Sequence, residues 1–203
     1  MLNCIAVLSG GPLNDNYQLS QFHGHWGKSC NTHGSEHTIN SRSFPAELHF
    51  VHINTKYPNL NEALKHADGL AVIGVFIKIG KESNEQFNNL IKGLKEIVCT
   101  NQPKPLDYAI KPGKLMPLDR SRYFTYKGSL TTPPLTECVT WLVMADPLLV
   151  SKTELDYLYN LRRPRDMKLI GQNYRPICPL NSRVVRASFS DYKNRTIEGP
   201  FKD

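Results

Sequence analysis

A mixed α/β chain that is mainly β is the fold class the sequence predicts, and three observations carry it. Two stretches, Tyr17 to Trp26 and Phe44 to Asn54, alternate with a period of two. A third, Leu70 to Ile79 (LAVIGVFIKI), is β-branched and apolar on both faces, which marks a central strand covered on both sides. Helical patterning is confined to short segments. At 203 residues the chain is long enough for one domain with a sizeable core, and no repeat, low-complexity segment or linker divides it. The expectation is a single domain over 1–203 with a loose tail from about 190 onward.

Taken in order, Cys4 to Leu8 is a short strand candidate, followed by a turn at Gly10-Gly11-Pro12 and Asn14-Asp15-Asn16. Tyr17 to Trp26 is the first histidine strand, and Gly27 to Gly34 is a polar loop. Phe44 to Asn54 is the second histidine strand, with Pro45 at its start, where a missing donor is tolerated. Pro58 to His66 reads as a short helix ending before Asp68-Gly69. Ser83 opens a helix whose Phe87, Leu90, Ile91, Leu94 and Ile97 form one apolar stripe, as core packing requires. Asn101 to Arg122 is proline-rich and irregular. Tyr123 to Val150 carries the turn GSLTTPP and a further strand. Ser151 then caps a helix to about Leu161, with Glu154 placed for a capping box. Arg175 to Phe189 holds a last extended piece, VVRASF.

Composition narrows the function classes. The apolar fraction of 40% and charged fraction of 21% are ordinary for a globular protein. The net charge of +7 attracts anions in general. Yet Lys and Arg are dispersed apart from Leu161 to Arg165, and no basic helix interleaved with aromatics appears, so nucleic acid is not expected as a partner. No run approaches membrane-spanning length, and MLNCIAVLSGGPL lacks the basic n-region of a signal peptide. The 5 cysteines, an odd and scattered set, fit a reduced intracellular setting, so the expected location is cytoplasmic. In that setting the sequon Asn194-Arg195-Thr196 is idle.

The chemistry concentrates between Gln21 and His52, which hold all of the chain's 7 histidines except His66. Alternate strand residues share a face, so Gln21, His23 and His25 point one way and Phe22, Gly24 and Trp26 the other. In the second strand Glu47, His49 and Val51 share one face, and Leu48, Phe50 and His52 the opposite one. Each arm thus places Gln21 or Glu47 two residues before an imidazole, where it can hydrogen-bond a ring nitrogen and fix the tautomer. An isolated His-x-His in a strand is usually a packed or solvated pair. Joined to Glu-x-His in matching register, it suggests three neutral nitrogens around zinc, with the fourth tetrahedral position open. His33, His37 and His52 read as structural or exposed, and His66 as a surface histidine at a helix end.

Two further motifs, GSEHT at Gly34 to Thr38 and GSLTTPPLTECVTW at Gly128 to Trp141, join QFHGHWG, AELHFVH and DGLAVIGVF in this order. Together they closely resemble the α-class carbonic anhydrases, from about Ala6 to Phe189. The resemblance implies a large twisted, mostly antiparallel central sheet with short surface helices and with the family's N-terminal strands missing. It makes His23, His25 and His49 the ligands of one catalytic zinc, oriented by Gln21, Glu47 and the backbone of Asn173. The hydroxyl of Thr131 would bridge a zinc-bound hydroxide and Glu36. Val51, Val72, Leu130 and Trp141 would wall the carbon dioxide pocket, with Thr132 beside bicarbonate. The implied reaction is attack of that hydroxide on carbon dioxide to give bicarbonate and a proton. Zinc would lower the pKa of its water from about 15.7 to near 7. A primary sulfonamide would bind the open position.

The chain departs from the family pattern in several places. Only the first 22 residues precede His23, so the histidine that relays protons in the family has no positional counterpart, and slower regeneration of the hydroxide is expected. The strands that flank the first histidine strand in the family are missing too, which predicts an unpaired edge at Tyr17 to Trp26 and self-association through it. Gly24 stands where a bulky apolar residue is usual and is expected to weaken packing. Lys127 replaces a usual proline. Two rival readings remain: a catalytically impaired relative acting as a zinc-binding or interaction module, and a structural zinc module of Cys30, His33 and His37, which lacks a fourth ligand in register.

Overall fold

The computed structural model describes residues 6–28, 33–97, 103, 105, 106 and 109–190. Its strands in chain order are β1 (Val7–Leu8), β2 (Tyr17–Trp26), β3 (Ala46–Asn54), β4 (Leu70–Ile79), β5 (Tyr123–Gly128), β6 (Val139–Met144), β7 (Leu148–Val150) and β8 (Arg186–Ala187). The helices are α1 (Leu60–Ala63), α2 (Glu85–Ile97) and α3 (Lys152–Tyr159). One eight-stranded sheet runs β1-β2-β3-β4-β6-β5-β8, with β7 also paired to β4. Pairing is antiparallel except where β4 meets β6 and β7 in parallel. The sheet is mostly antiparallel, as expected, with its parallel pairs at the centre. No helix among the described residues is long and apolar enough to cross a membrane.

The doubly apolar pattern of Leu70 to Ile79 has the consequence expected: β4 is buried through Ile77 and lies beside β3. Alternation then divides the core. Leu48, Phe50, Ile73 and Val75 face a large cluster roofed by Phe87 and Ile91 of α2 and Leu155 and Leu158 of α3. Val51, Val72, Phe76, Val139, Trp141 and Val143 form a smaller cluster on the other face. The face of β3 that carries His49 belongs to that smaller side, so α2 and α3 pack away from it.

Several local expectations are adjusted. Only four residues of Pro58 to His66 are helical, capped by the Asn59 side chain on Glu62 N–H. Asn84, not Ser83, caps α2 by accepting from Phe87 N–H at 3.0 Å. The capping box of Ser151 and Glu154 is formed as read. Of VVRASF only Arg186 and Ala187 pair, with β5. Residues 4 and 5 of the first strand candidate and the tail from 191 lie outside the described residues.

The edge of β2 is less open than expected. β1 pairs with Tyr17 and Gln18, and Leu19 N–H donates to Ala6 O at 2.9 Å. At the far end Asn173 covers it. Its N–H donates to Trp26 O at 3.2 Å, its Oδ1 accepts from Trp26 N–H at 2.7 Å and its Nδ2 donates to Gly24 O at 3.0 Å. Among the described residues only the middle of the strand, 20–23, has no neighbour on that side. Gly24 is also less of a gap than its missing side chain suggests, because a Cβ there would meet Leu48 Cδ2 at 3.2 Å. Lys127 finds a use its proline counterpart lacks: its Nζ donates to the buried Thr140 Oγ1 at 2.7 Å.

Candidate metal centre

Strand register brings three imidazoles together. His23 lies directly opposite His49 in the β2–β3 pair, and His25 follows one turn of the pleat later on the same face. The ring centroids are 5.0 Å apart for His23 and His25, 5.3 Å for His23 and His49, and 4.7 Å for His25 and His49. Each ring has one nitrogen committed to an oxygen that can only accept. His23 Nδ1 donates to Gln21 Oε1 at 2.9 Å, His25 Nδ1 to Asn173 O at 3.1 Å and His49 Nε2 to Glu47 Oε1 at 2.8 Å. The hydrogen of each neutral imidazole is thereby assigned, and its other nitrogen is left with a bare lone pair.

Ligand nitrogens of the three rings lie within 4.8 Å of one another. His25 Nε2 is buried without any hydrogen-bond partner, a state that buried polar atoms rarely keep unless something else fills it. Three neutral imidazoles with fixed tautomers and an orphaned nitrogen between them suit zinc. Two of the rings, His23 and His25, are also biased toward the neutral form. Burial, then the charges of His49 and His25, pushes the His23 pKa down to about 4. Burial and His49 lower that of His25 as well, against the opposing pull of Glu36.

Behind His49 stands a buried carboxylate that the sequence showed only in part. Glu47 is fully buried and accepts four bonds: from Glu36 N–H and His37 N–H at 2.9 Å each, from His37 Nδ1 at 2.6 Å and from His49 Nε2 at 2.8 Å. Burial alone would raise its pKa, but the charges and hydrogen bonds of His37 and His49 outweigh it and hold Glu47 well below the usual carboxylate range. His37 Nε2 in turn accepts from Tyr126 O–H at 2.6 Å. His37, Glu47 and His49 also lie close enough to hold a metal. Hydrogen bonds already account for that cluster, and the ring nitrogens of His37 are both engaged. The rival module of Cys30, His33 and His37 thus loses a ligand, while Cys30 lies outside the described residues. Gly74 on β4 makes the arrangement fit: a Cβ there would stand 3.0 Å from Glu47 Oε1.

Glu36 occupies the next position. Its Oε1 accepts from Arg175 N–H at 2.7 Å and lies 3.1 Å from His25 Nδ1. Its Oε2 is buried, has no hydrogen-bond partner and lies 3.9 Å from His49 Nδ1. Thr131 borders the same cavity as Glu36, but no hydrogen bond joins the two side chains. Val51, Val72 and Trp141 sit in adjacent register across β3, β4 and β6, and Leu130 packs half-buried against their cluster. The Trp141 ring is 4.7 Å from that of His49 and anchors by Nε1–H to Ser129 O at 3.1 Å. Thr132 lies in the turn, where its carbonyl accepts from Leu135 N–H at 3.0 Å. His37, Tyr126, Gly74 and the N–H of Arg175 were not singled out as site residues from the sequence.

These environments fix the acid response of the metal-free chain. His23, His25 and His52 all titrate below the ordinary 6.5 in the folded state, His52 because it is buried. Between the two values the unfolded chain binds protons that the folded chain refuses, so stability falls as pH falls. Urea midpoints should be level above pH 7 and decline from about 6.5 toward about 4. Below the ordinary 4.5 of a glutamate, protonation of Glu47 adds a further loss. A midpoint constant from pH 7 to 4 would contradict this.

Comparison with known proteins follows the same lines. A family model described as eukaryotic-type carbonic anhydrase matches residues 3–189. Carbonic anhydrase 3 of Rattus norvegicus is 45% identical over 188 residues, covering 91% of this chain and 70% of that protein. Carbonic anhydrase 3 of Homo sapiens is 44% identical over 187 residues with the same coverages. Carbonic anhydrase 1 of Oryctolagus cuniculus is 44% identical over 188 residues, covering 91% of this chain and 78% of that protein.

Proposed function

The chain belongs to the eukaryotic-type carbonic anhydrase family, and from that premise we propose that it hydrates carbon dioxide reversibly to bicarbonate and a proton at one zinc held by His23, His25 and His49. The observation that carries the reading is the convergence of three imidazoles whose outer nitrogens are tied to Gln21, Asn173 and Glu47. Zinc, when bound, supplies Lewis acidity that makes water ionisable near neutral pH.

The chain's own residues do the rest. Gln21, Asn173 O and Glu47 hold the rings in the ligating tautomer, and the Glu47 carboxylate makes His49 a more basic ligand. Glu36 Oε2 is an acceptor awaiting a donor. We assign that donor to the hydroxyl of Thr131, whose lone pairs are then free only to accept and so aim the attacking water. Val51, Val72, Leu130 and Trp141 give a carbon dioxide molecule with no net dipole an apolar wall, and Thr132 lies beside the departing bicarbonate. Thr131→Ala should retain zinc and lower hydration on the order of 10–100-fold, the usual cost of losing an orienting partner. An unchanged rate would mean that Thr131 does not act through Glu36.

Proton release sets the expected turnover. Among the described histidines outside the triad, His33 is exposed beside Gly34, His37 is bound to Glu47 and Tyr126, His52 to Phe50 O, and His66 to Glu62 while stacked on Tyr57, and none is assigned the relay. Protons then leave through water and buffer. Stopped-flow hydration by the zinc-loaded chain should rise several-fold with buffer concentration, and a primary sulfonamide should abolish it. Hydration already maximal at low buffer would overturn the slow-release part of the proposal, and absence of any hydration the whole of it.

One observation favours a second reading, an impaired relative that binds zinc and serves as an interaction module: Thr131 and Glu36 are not hydrogen-bonded to each other. High-buffer hydration separates the two, since buffer rescues slow proton release but not a broken site. A cytoplasmic location is part of the proposal, supported by the free thiols of Cys138 and Cys178. So is self-association through the uncovered middle of β2, which sedimentation at increasing concentration tests.

A further inference from the structure

On the far side of Glu36 and Thr131 lies a cavity of about 400 Å³ that none of the three zinc-site histidines lines. Its walls are mostly apolar, formed by Ile39, Phe124, Val143, Ile177, Leu180 and Val185. Three of these, Ile177, Leu180 and Val185, are also exposed to solvent at 51%, 54% and 41%, which is unusual for large aliphatic side chains gathered on one short segment. The size suits a small organic molecule, since ligand pockets run from about 300 to 1,000 Å³.

Charge decides which molecule. Two arginines, Arg175 and Arg183, are among the residues that line the cavity. Arg183 is held in place by Nε–H to Leu180 O at 3.0 Å and Nη2–H to Pro179 O at 2.7 Å, with its plane over the Tyr126 ring. Those bonds leave Nη1 unused. Arg175 is half-buried, and its guanidinium makes no ion pair or hydrogen bond among the described residues. The one carboxylate on the wall, Glu36, has its Oε1 taken by the Arg175 N–H and its Oε2 without a hydrogen-bond partner, so the lining holds two arginines against one carboxylate. A half-buried cation without a partner is costly and is relieved by a matching anion, which guanidinium groups bind through paired hydrogen bonds.

We propose that this cavity is a binding site for a small aromatic acid. The ring lodges among Ile39, Phe124, Val143 and Leu180, and the carboxylate or sulfonate pairs with Arg175 and Arg183. The site is separate from the histidine triad and does not depend on metal.

The test uses 1-anilinonaphthalene-8-sulfonate, an aromatic sulfonate whose fluorescence rises in apolar surroundings, titrated into the full chain with near-ultraviolet circular dichroism as the check on folding. Binding to one site is expected, with Kd on the order of tens of micromolar for a ligand of this size, and equal in zinc-loaded and chelator-treated protein. Val185→Trp, at a partly exposed wall position, should fill the space and abolish the signal. Arg175→Gln keeps the backbone bond to Glu36 and removes only the charge, so it should weaken binding about tenfold. No binding at millimolar probe, binding that requires zinc, or binding untouched by both substitutions in folded protein would overturn the proposal.

Discussion

Replacing His49 by alanine is expected to cut zinc affinity by two to three orders of magnitude while the other two ligands remain. Zinc held by four protein ligands carries about 10–16 kcal/mol, so one ligand is worth roughly 2.5–4 kcal/mol, or on the order of 10²–10³-fold. The effect should exceed that of Gln21→Ala, because His49 does two things at once. In the proposed centre it would offer Nδ1 to the metal, and it donates Nε2–H to the buried Glu47 at 2.8 Å. Equilibrium dialysis of zinc against a competing chelator reads the loss, with circular dichroism as the control for folding. Full zinc stoichiometry in folded His49→Ala at nanomolar free zinc would remove His49 from the ligand set.

The second large effect is expected at Glu47. Glu47→Gln preserves shape but turns one acceptor oxygen into a donor. Both oxygens now accept two N–H groups each, so either orientation of the amide sets an NH₂ against two donors. With the site fully buried, the mismatch resembles breaking a buried ion pair and should cost about 3–5 kcal/mol. At roughly 2–4 °C per kcal/mol for a domain of this size, Tm should fall by about 10 °C. Zinc affinity should drop about 10–100-fold as His49 loses its orienting partner. A variant with unchanged Tm and zinc affinity would show that the four-bond arrangement contributes little.

How much of this could be read from the sequence depended on distance along the chain. Gln21, His23 and His25 lie on one strand, and Glu47 and His49 on another, so a period of two was enough to place their side chains together. The family resemblance supplied Asn173, which spacing alone does not reach: it sits 148 residues from His25. The link from Glu47 through His37 to Tyr126 spans 89 residues in its last step and depends on β5 and β6 following β4 in the sheet. No local pattern encodes that order. Gly74 read as one more residue of an apolar strand, and only the packed sheet shows the Glu47 carboxylate against it. The start of α2 was ambiguous for a related reason. Ser83 and Asn84 are both good caps, and Asn84 is selected by the distant Glu154, whose Oε1 accepts its N–H at 3.0 Å.

The most direct measurement is X-ray absorption at the zinc edge of the loaded 203-residue chain. One zinc per chain, surrounded by three imidazole nitrogens at about 2.0–2.1 Å and one further light-atom ligand, is the predicted result. A sulfur shell at about 2.3 Å, or fewer than three imidazoles around the metal, would contradict a centre built by His23, His25 and His49.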